Sequence, residues 1–456
     1  MSVTAVLDVG KTNVKLVLFD GSASLWQASM PNRTLAGPPY PHADVEAIWR
    51  FLMEGLRKAG AEHAIADIAV TTHGAAMALI GEDDLALPVM DYEFGGVGEI
   101  EAEYAPFRPP FDETLSPPMS AGLNSGKQIF YQQRRHPEAF ARVRHIVPYP
   151  QYFTWRLTGI ARNEVTGIGG HSDLWAVRER RLSSLVVSCG WQALFPPPIA
   201  AYAVLGPLRS EVRAETGLPD TVRVRAGIHD SNGSILPHLI AFEPPFTLVS
   251  SGTWAVIMAL GADPGRLDAA RDMQAYADVE ARPVPAAKFM GGREYAVILD
   301  GASPTCSLAD AAAVMAAGVL ALPSFVPNGG PFPGHPGEIR GTLPAGEGMR
   351  AALASLYCVL LTDYLLEALG AVSGPLLIEG SFAANPVYCS LLAAIRLGQA
   401  VLPSLDSSGT AYGTSLLATW PEMPAREAAR PAAGYGDAEA LLGYKAAWRA
   451  ALPKVT

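Results

Sequence analysis

The chain has 456 residues, of which 49% are hydrophobic and 17% charged, and its net charge is -10. That length exceeds one typical core and predicts two large domains, and the composition excludes a disordered or fibrous chain. The absence of a basic block argues against a nucleic-acid partner.

In chain order, the first element is a meander of strands over residues 3–7, 14–19 and 23–29. Its first turn carries Asp8, Gly10, Lys11, Thr12, Asn13 and Lys15 between two apolar strands. A glycine there lets the backbone bend and a ligand approach closely. Successive N–H groups and the Thr12 hydroxyl can cradle phosphate oxygens, and Asp8 can hold a hard cation such as Mg²⁺. Taken alone, the pattern also fits an ordinary β-hairpin. A helix follows over residues 44–59, with Val45, Ile48, Trp49, Leu52 and Leu56 on one face. A strand over residues 65–71 ends in Thr72-His73-Gly74, and helical spacing returns at 125–135 and 150–157. The proline run at 195–198 is a loop. Residues 226–229 read as a strand ending in the polar turn His229-Asp230-Ser231-Asn232-Gly233, and the domain boundary is set near 225.

A second strand–turn–strand spans residues 247–260 around Ser250-Ser251-Gly252-Thr253-Trp254. It echoes the first and predicts a duplicated domain whose two turns face one nucleotide. Helices are predicted at 307–321 and 348–369, separated by a Pro/Gly-rich loop at 323–337. A strand at 375–378 runs into Glu379-Gly380-Ser381, before a helix at 387–397. A small-residue loop at 407–413 leads into a core helix at 414–419, and a surface helix closes the chain. The apolar stretches at 308–322 and 353–369 are broken by acidic residues and read as core helices rather than membrane spans. The four cysteines are dispersed, which predicts a reducing, cytoplasmic setting and no zinc site. The amino terminus enters a strand at once, so no signal peptide is expected.

The ordered segments Asp-x-Gly-x-Thr-x-x-Lys, Thr-His-Gly, Gly-x-His-Asp, Ser-Ser-Gly-Thr-Trp, Gly-Ser-x-x-x-Asn and Gly-Thr-x-x-Gly resemble the FGGY carbohydrate kinases. The likeness runs from about residue 3 to 420. Within the family the chain is most similar to the L-fuculokinase and L-rhamnulokinase branch, through residues 150–159, His229-Asp230 and residues 250–254. The resemblance implies an α/β, two-domain actin-like ATPase (ribonuclease H-like) fold, with a duplicated mixed β-sheet core and an interdomain cleft. It implies domains at 1–225 and 226–456, the first for sugar and the second for catalytic base and adenosine. The expected activity is ATP- and Mg²⁺-dependent phosphorylation of a ketose such as L-fuculose, L-rhamnulose or xylulose. Homodimers are common in the family, but no motif shows an interface.

The resemblance assigns Asp230 as the base that accepts the sugar hydroxyl's proton, and Asp8 as the organiser of Mg²⁺. Without the family, an Asp in such a turn fits an Asx-turn or a helix cap. Gly10, Thr12 and Asn13 would contact the transferring phosphate from one side, and Gly252 and Thr253 from the other. Gly380, Ser381 and Asn385 match the adenosine site, and Gly409 and Gly413 a second small-residue turn nearby. His73, Gly74 and Glu93, with Asp230, match the sugar site. Gln151 and Asn124 are further polar candidates. Three departures stand out. Glu379 replaces a usual glycine, Asp91-Tyr92-Glu93 lacks the family's arginine, and Lys11 is either a γ-phosphate contact or directed outward. Two other readings share the fold: a catalytically silent nucleotide-binding sugar sensor, and an ATPase of the actin or chaperone type. Retention of both Asp8 and Asp230 argues against the sensor.

Overall fold

The computed structural model describes residues 3–327, 329–404, 409–422 and 430–453. Two compact units form, one from the described residues of 1–242, 275–283 and 408–426, the other from those of 243–274, 284–407 and 427–456. The division falls at 242/243, whereas the sequence set it near 225. Residues 226–242, with Asp230, therefore share a unit with Asp8.

The first unit is built on strands β1 (Val3–Val9), β2 (Asn13–Asp20), β3 (Ala23–Pro31), β4 (Ile65–Thr72), β5 (Val204–Pro207) and β6 (Arg223–Arg225). Their order is β5-β6-β4-β1-β2-β3, and the two-residue β7 (Ile228–His229) pairs with the far end of β4. β1 and β2 are antiparallel, β1 and β4 parallel. The antiparallel meander and the parallel fourth strand use the residues the pattern assigned, because both β1 and β4 are buried and apolar. The crossover helix Val45–Gly60 starts where Asp44 accepts from the Ala47 N–H at 3.0 Å, and it buries Ile48, Leu52 and Leu56.

The second unit repeats the plan with β8 (Phe246–Ser251), β9 (Ala255–Leu260), β10 (Pro283–Phe289), β11 (Leu376–Gly380) and β12 (Val401–Ser404). Their order is β10-β9-β8-β11-β12. Again the first strand pairs antiparallel with the second and parallel with the strand after a long helix. Each unit thus has a turn between its first two strands and another at the end of its fourth. The helix preceding β11, Met349–Leu369, is long and apolar enough to cross a membrane, but 83% of its apolar window is buried within the protein. It is a core helix, ended by Gly370 in the left-handed region at φ 72°.

Four elements differ from the sequence reading. Asp230 opens a twelve-residue helix, Asp230–Ala241, where a polar turn was expected. The predicted helix at 307–321 stops at Ala316, because Gly318 takes φ 65° and the chain becomes the strand Leu320–Leu322. The helix after Asn385 ends at Ile395, two residues short of the expectation, and begins at Pro386. Residues 409–413 are helical: the helix Gly409–Ser415 precedes a 3₁₀ turn at Leu416–Ala418. Ser407 and Ser408 of the expected loop lie outside the described residues.

Candidate active site

In the first unit the β1–β2 turn is closed by the Gly10 N–H donating to the Asn13 carbonyl at 2.9 Å. Asn32 braces it, donating through its side chain to the Gly10 carbonyl at 2.7 Å and through its N–H to the Thr12 carbonyl at 2.9 Å. A Cβ at residue 10 would stand 3.1 Å from the Asn13 carbonyl oxygen, so the turn is tight at that point. Thr12 and Asn13 are exposed, and Asp8 is half-buried at the end of β1. Lys15 lies opposite Asp8 in register and is exposed. Burial and the Asp230 charge push the Asp8 carboxyl up to about 6, against Lys15. Two carboxylates in one neighbourhood offer hard oxygen donors that suit Mg²⁺ with most of its waters retained. Among the described residues there is no group of three or more metal-ligating side chains, so such an ion would depend on water and phosphate oxygens.

Asp230 is two-thirds buried, at the first position of its helix. Its Oδ1 lies 3.1 Å from His229 Nε2 and accepts from the Ser231 N–H at 2.6 Å. Burial alone would raise this carboxyl, but His229, His73 and the Ser231 N–H outweigh it and hold it below its ordinary value. A base kept ionised at neutral pH and partly exposed can take a proton from a bound hydroxyl. The helix N-terminus adds a partial positive charge in the same sense.

His73 follows β4, with its N–H donating to the Val9 carbonyl at 2.9 Å and its Nδ1 2.9 Å from the Gly74 carbonyl. Its ring packs against Tyr92 and Tyr149 at 5.5 and 5.6 Å, and burial lowers its basicity. Ala75, two residues on, adopts φ 54°, and its carbonyl accepts from Gln128 at 2.6 Å. A non-glycine residue in that region is strained, a feature that clusters at ligand sites. Gly74 has a specific reason: a Cβ there would stand 2.4 Å from His229 Nε2.

Lys11 turns toward the Asp91-Tyr92-Glu93 stretch. Its ammonium pairs with Asp91, lies 3.3 Å from Glu93 and sits over the Tyr92 ring at 4.8 Å. The pair lowers the Asp91 carboxyl against its burial, and Thr34 also donates to it at 2.9 Å. Glu93 itself is largely exposed, so Asp91 is the anchored carboxylate of this stretch. Gln151 and Asn124 are both buried and bonded inward. Gln151 donates to the Ala226 carbonyl at 2.9 Å, and Asn124 donates to Ser116, Pro117 and His171.

In the second unit the β8–β9 turn exposes Gly252, Thr253 and Trp254, and the Gly252 N–H donates to the Trp254 carbonyl at 2.8 Å. Ser251 ties this turn to the end of β11. Its hydroxyl donates to the Glu379 carbonyl at 2.5 Å and accepts from the Phe382 N–H at 2.8 Å, while its carbonyl accepts from the Ser381 N–H at 3.0 Å. Gly380 has φ 74°, and a Cβ on it would fall 1.8 Å from the Ser251 carbonyl oxygen. Beside this junction lies a cavity of about 420 Å³, lined by Gly292, Tyr295, Thr305, Cys306, Ser381 and Asn385 among others. That volume lies within the range of small-ligand sites, and the lining is mainly apolar with a few polar groups. Asn385 has both side-chain atoms engaged: its oxygen caps the helix at Tyr388 N–H, and its nitrogen donates to Ser355, each at 3.0 Å. Glu379 is half-buried near the end of β11.

Gly413 belongs to a helix contact in the first unit, where a nucleotide turn was expected. A Cβ on Gly413 would stand 1.8 Å from the Gly233 carbonyl oxygen, so the helices Gly409–Ser415 and Asp230–Ala241 touch backbone to backbone. Ser234 and Thr410 share a hydrogen bond of 2.9 Å at the same contact.

Residues 243–427 match the family model described as carbohydrate kinase FGGY, C-terminal domain. The fold superposes on a carbohydrate kinase from Novosphingobium aromaticivorans with a TM-score of 0.91 and 32% identity, covering 99% of this chain and 98% of that one. Xylulose kinase from Rhodospirillum rubrum is similar in fold alone, with TM-score 0.80, 17% identity and 98% coverage of both chains. So is glycerol kinase with ADP from Plasmodium falciparum, with TM-score 0.78, 13% identity and coverage of 99% and 97%. No curated protein matches the sequence. With the actin-like ATPase fold in two units, a family-model match over the second half and a 32% identical relative over nearly the whole length, this chain belongs to the FGGY carbohydrate kinase family, and it is a carbohydrate kinase.

Proposed function

We propose that this kinase transfers the γ-phosphoryl group of MgATP to a hydroxyl of a ketose of the fuculose, rhamnulose or xylulose type. Asp230 is the general base in this reading. The observation that carries it is the Asp230 carboxylate itself: ionised, partly exposed, and oriented by His229 in the unit that also holds Asp8. Asp8 would carry Mg²⁺ through waters, and the cation neutralises developing phosphate charge when bound. Gly10, Thr12 and Asn13 serve the phosphate in one unit, Gly252 and Thr253 in the other. Gly380, Ser381 and the adjoining cavity suit adenosine, with Asn385 shaping the wall as a helix cap. The first unit serves the sugar and the base, the second the nucleotide.

The sugar side is read from His73, Gly74, Tyr92 and Glu93. Lys11 and Thr34 both engage Asp91, so the pocket offers a sugar the His73 imidazole in place of the family's guanidinium. A site built on directed hydrogen bonds discriminates strongly when one donor changes. Comparing kcat/KM across L-fuculose, L-rhamnulose, D- and L-xylulose, D- and L-ribulose, erythrulose and glycerol tests the substrate. A ketose is expected to exceed glycerol by at least tenfold, and equal or lower values for every ketose would refute it. Asp230→Asn is expected to lower kcat by about 10²–10⁴-fold, with nucleotide affinity near that of the parent. Substantial turnover in the Asn variant would remove Asp230 from the role. ADP release without any sugar would favour the ATPase reading.

A further inference from the structure

A chain of buried polar contacts runs behind Asp230. Glu164 is fully buried. Its carboxylate accepts from the Thr166 hydroxyl at 2.5 Å, from the Thr166 N–H at 3.0 Å and from the Gly167 N–H at 3.3 Å. It caps the one-turn helix Val165–Ile168. Because the Thr166 hydroxyl gives its proton to Glu164, its oxygen is left to accept from the His229 N–H, at 3.0 Å. His229 is buried, with its ring against Tyr276 at 6.4 Å and facing the bare Gly74 backbone. Its Nδ1 is buried with no hydrogen-bond partner among the described residues, whereas Nε2 has the Asp230 carboxylate at 3.1 Å. The ring N–H at Nε2 is therefore the one that donates to the Asp230 carboxylate.

We infer that Glu164, Thr166 and His229 are positioning residues for phosphoryl transfer: they fix the imidazole that aims the Asp230 carboxylate at the sugar hydroxyl. The inference rests on the proposed role of Asp230 as base. In that step the sugar oxygen bonds to the γ-phosphorus, the bond from phosphorus to the departing ADP oxygen breaks, and the hydroxyl proton passes to Asp230. A fully buried carboxylate is a costly means of packing one helical turn, and an apolar side chain would fill the space without desolvating a charge. What the carboxylate adds is direction: it sets which way the Thr166 hydroxyl points, and through it the backbone of His229. Misplacing a catalytic group by about 1 Å can cost roughly 10²-fold in rate.

The test separates position from packing. Thr166→Val keeps the shape but cannot accept from the His229 N–H, and Thr166→Ser keeps the hydroxyl. His229→Leu removes the donor to Asp230, and His229→Gln keeps an N–H at a similar reach. Thr166→Val and His229→Leu are expected to lower kcat by about 10- to 100-fold with both KM values within about threefold. The Ser and Gln variants are expected to recover at least a third of the loss on a logarithmic scale. If Thr166→Val fails to fold, the Leu and Gln pair decides alone. Parent-like kcat in the Val and Leu variants, or a loss confined to KM, overturns the inference. Asp230→Asn in parallel keeps the two readings apart: an inactive Asn variant beside parent-like Val and Leu variants refutes the positioning network alone. An active Asn variant refutes the base, and the network with it.

Discussion

At the scale of single residues, two positions show how neighbours decide what a side chain does. Gly74, proposed among the sugar contacts, also meets a steric demand. It leaves space for the His229 imidazole, whose Nε2 would otherwise meet a Cβ at 2.4 Å. Gly74→Ala must push that ring, and with it the donor to Asp230. Because its backbone angle is ordinary, the effect is steric, and the fold should survive. A fall in kcat of about tenfold or more is expected, with melting temperature lowered by only a few degrees. Unchanged kcat would show that the ring has room to move. Lys11 gives the opposite lesson. A lysine in a phosphate turn reads naturally as a phosphate ligand, yet its ammonium spends itself on Asp91, Glu93 and the Tyr92 ring.

At the scale of elements, the junction of β8 and β11 depends on Ser251 and Gly380. Three hydrogen bonds of one serine join the β8–β9 turn to the cavity wall. Gly380→Ala would place a side chain in the left-handed region, which costs roughly 1–2 kcal/mol, and would also strike the Ser251 carbonyl. The expected outcome is a raised KM for ATP with KM for sugar little changed, read from initial rates. Equal changes in both would show that the junction is a general stability element. The helix that opens with Asp230 illustrates the same dependence on neighbours. Its contact with the helix Gly409–Ser415 requires glycine at 413, and that contact holds the element that presents Asp230.

At the scale of the whole molecule, two buried glutamates tie stability to pH. Glu294 is buried, accepts from the Tyr357 hydroxyl, and is pushed up to about 7 by burial. Burial likewise pushes Glu164 up to about 7, against the bonds from Thr166 and Gly167. In both cases the folded carboxyl gives up its proton near 7, whereas the unfolded chain releases it near 4.5. The stabilising contribution is therefore complete below about 4.5 and is lost as pH rises through about 7, at up to roughly 1.4 kcal/mol per pH unit per group. Glu294→Gln should flatten the fall in melting temperature between about pH 5 and pH 8, because an amide has no proton to release. Parallel curves for parent and variant would show that this glutamate is already ionised in the folded protein.

The sequence by itself determined the family, the duplicated sheet plan and the positions of both glycine–threonine turns. These are local signals: strand alternation, a glycine at a tight bend, and an ordered set of short motifs. The placement of Asp8, Asp230 and His73 beside strand ends was legible for the same reason, since the pattern marks each of those ends. Glu164, Thr166 and Asp91 were not. Their meaning depends on contacts across 63 positions for Thr166 and His229, and 80 for Lys11 and Asp91. The tertiary structure alone decided that Gly413 serves a helix contact, that Asn385 caps a helix, and that residues 226–242 join the first unit. Periodicity records which face of a segment is buried, but it carries no information about which distant backbone occupies the other side of that face.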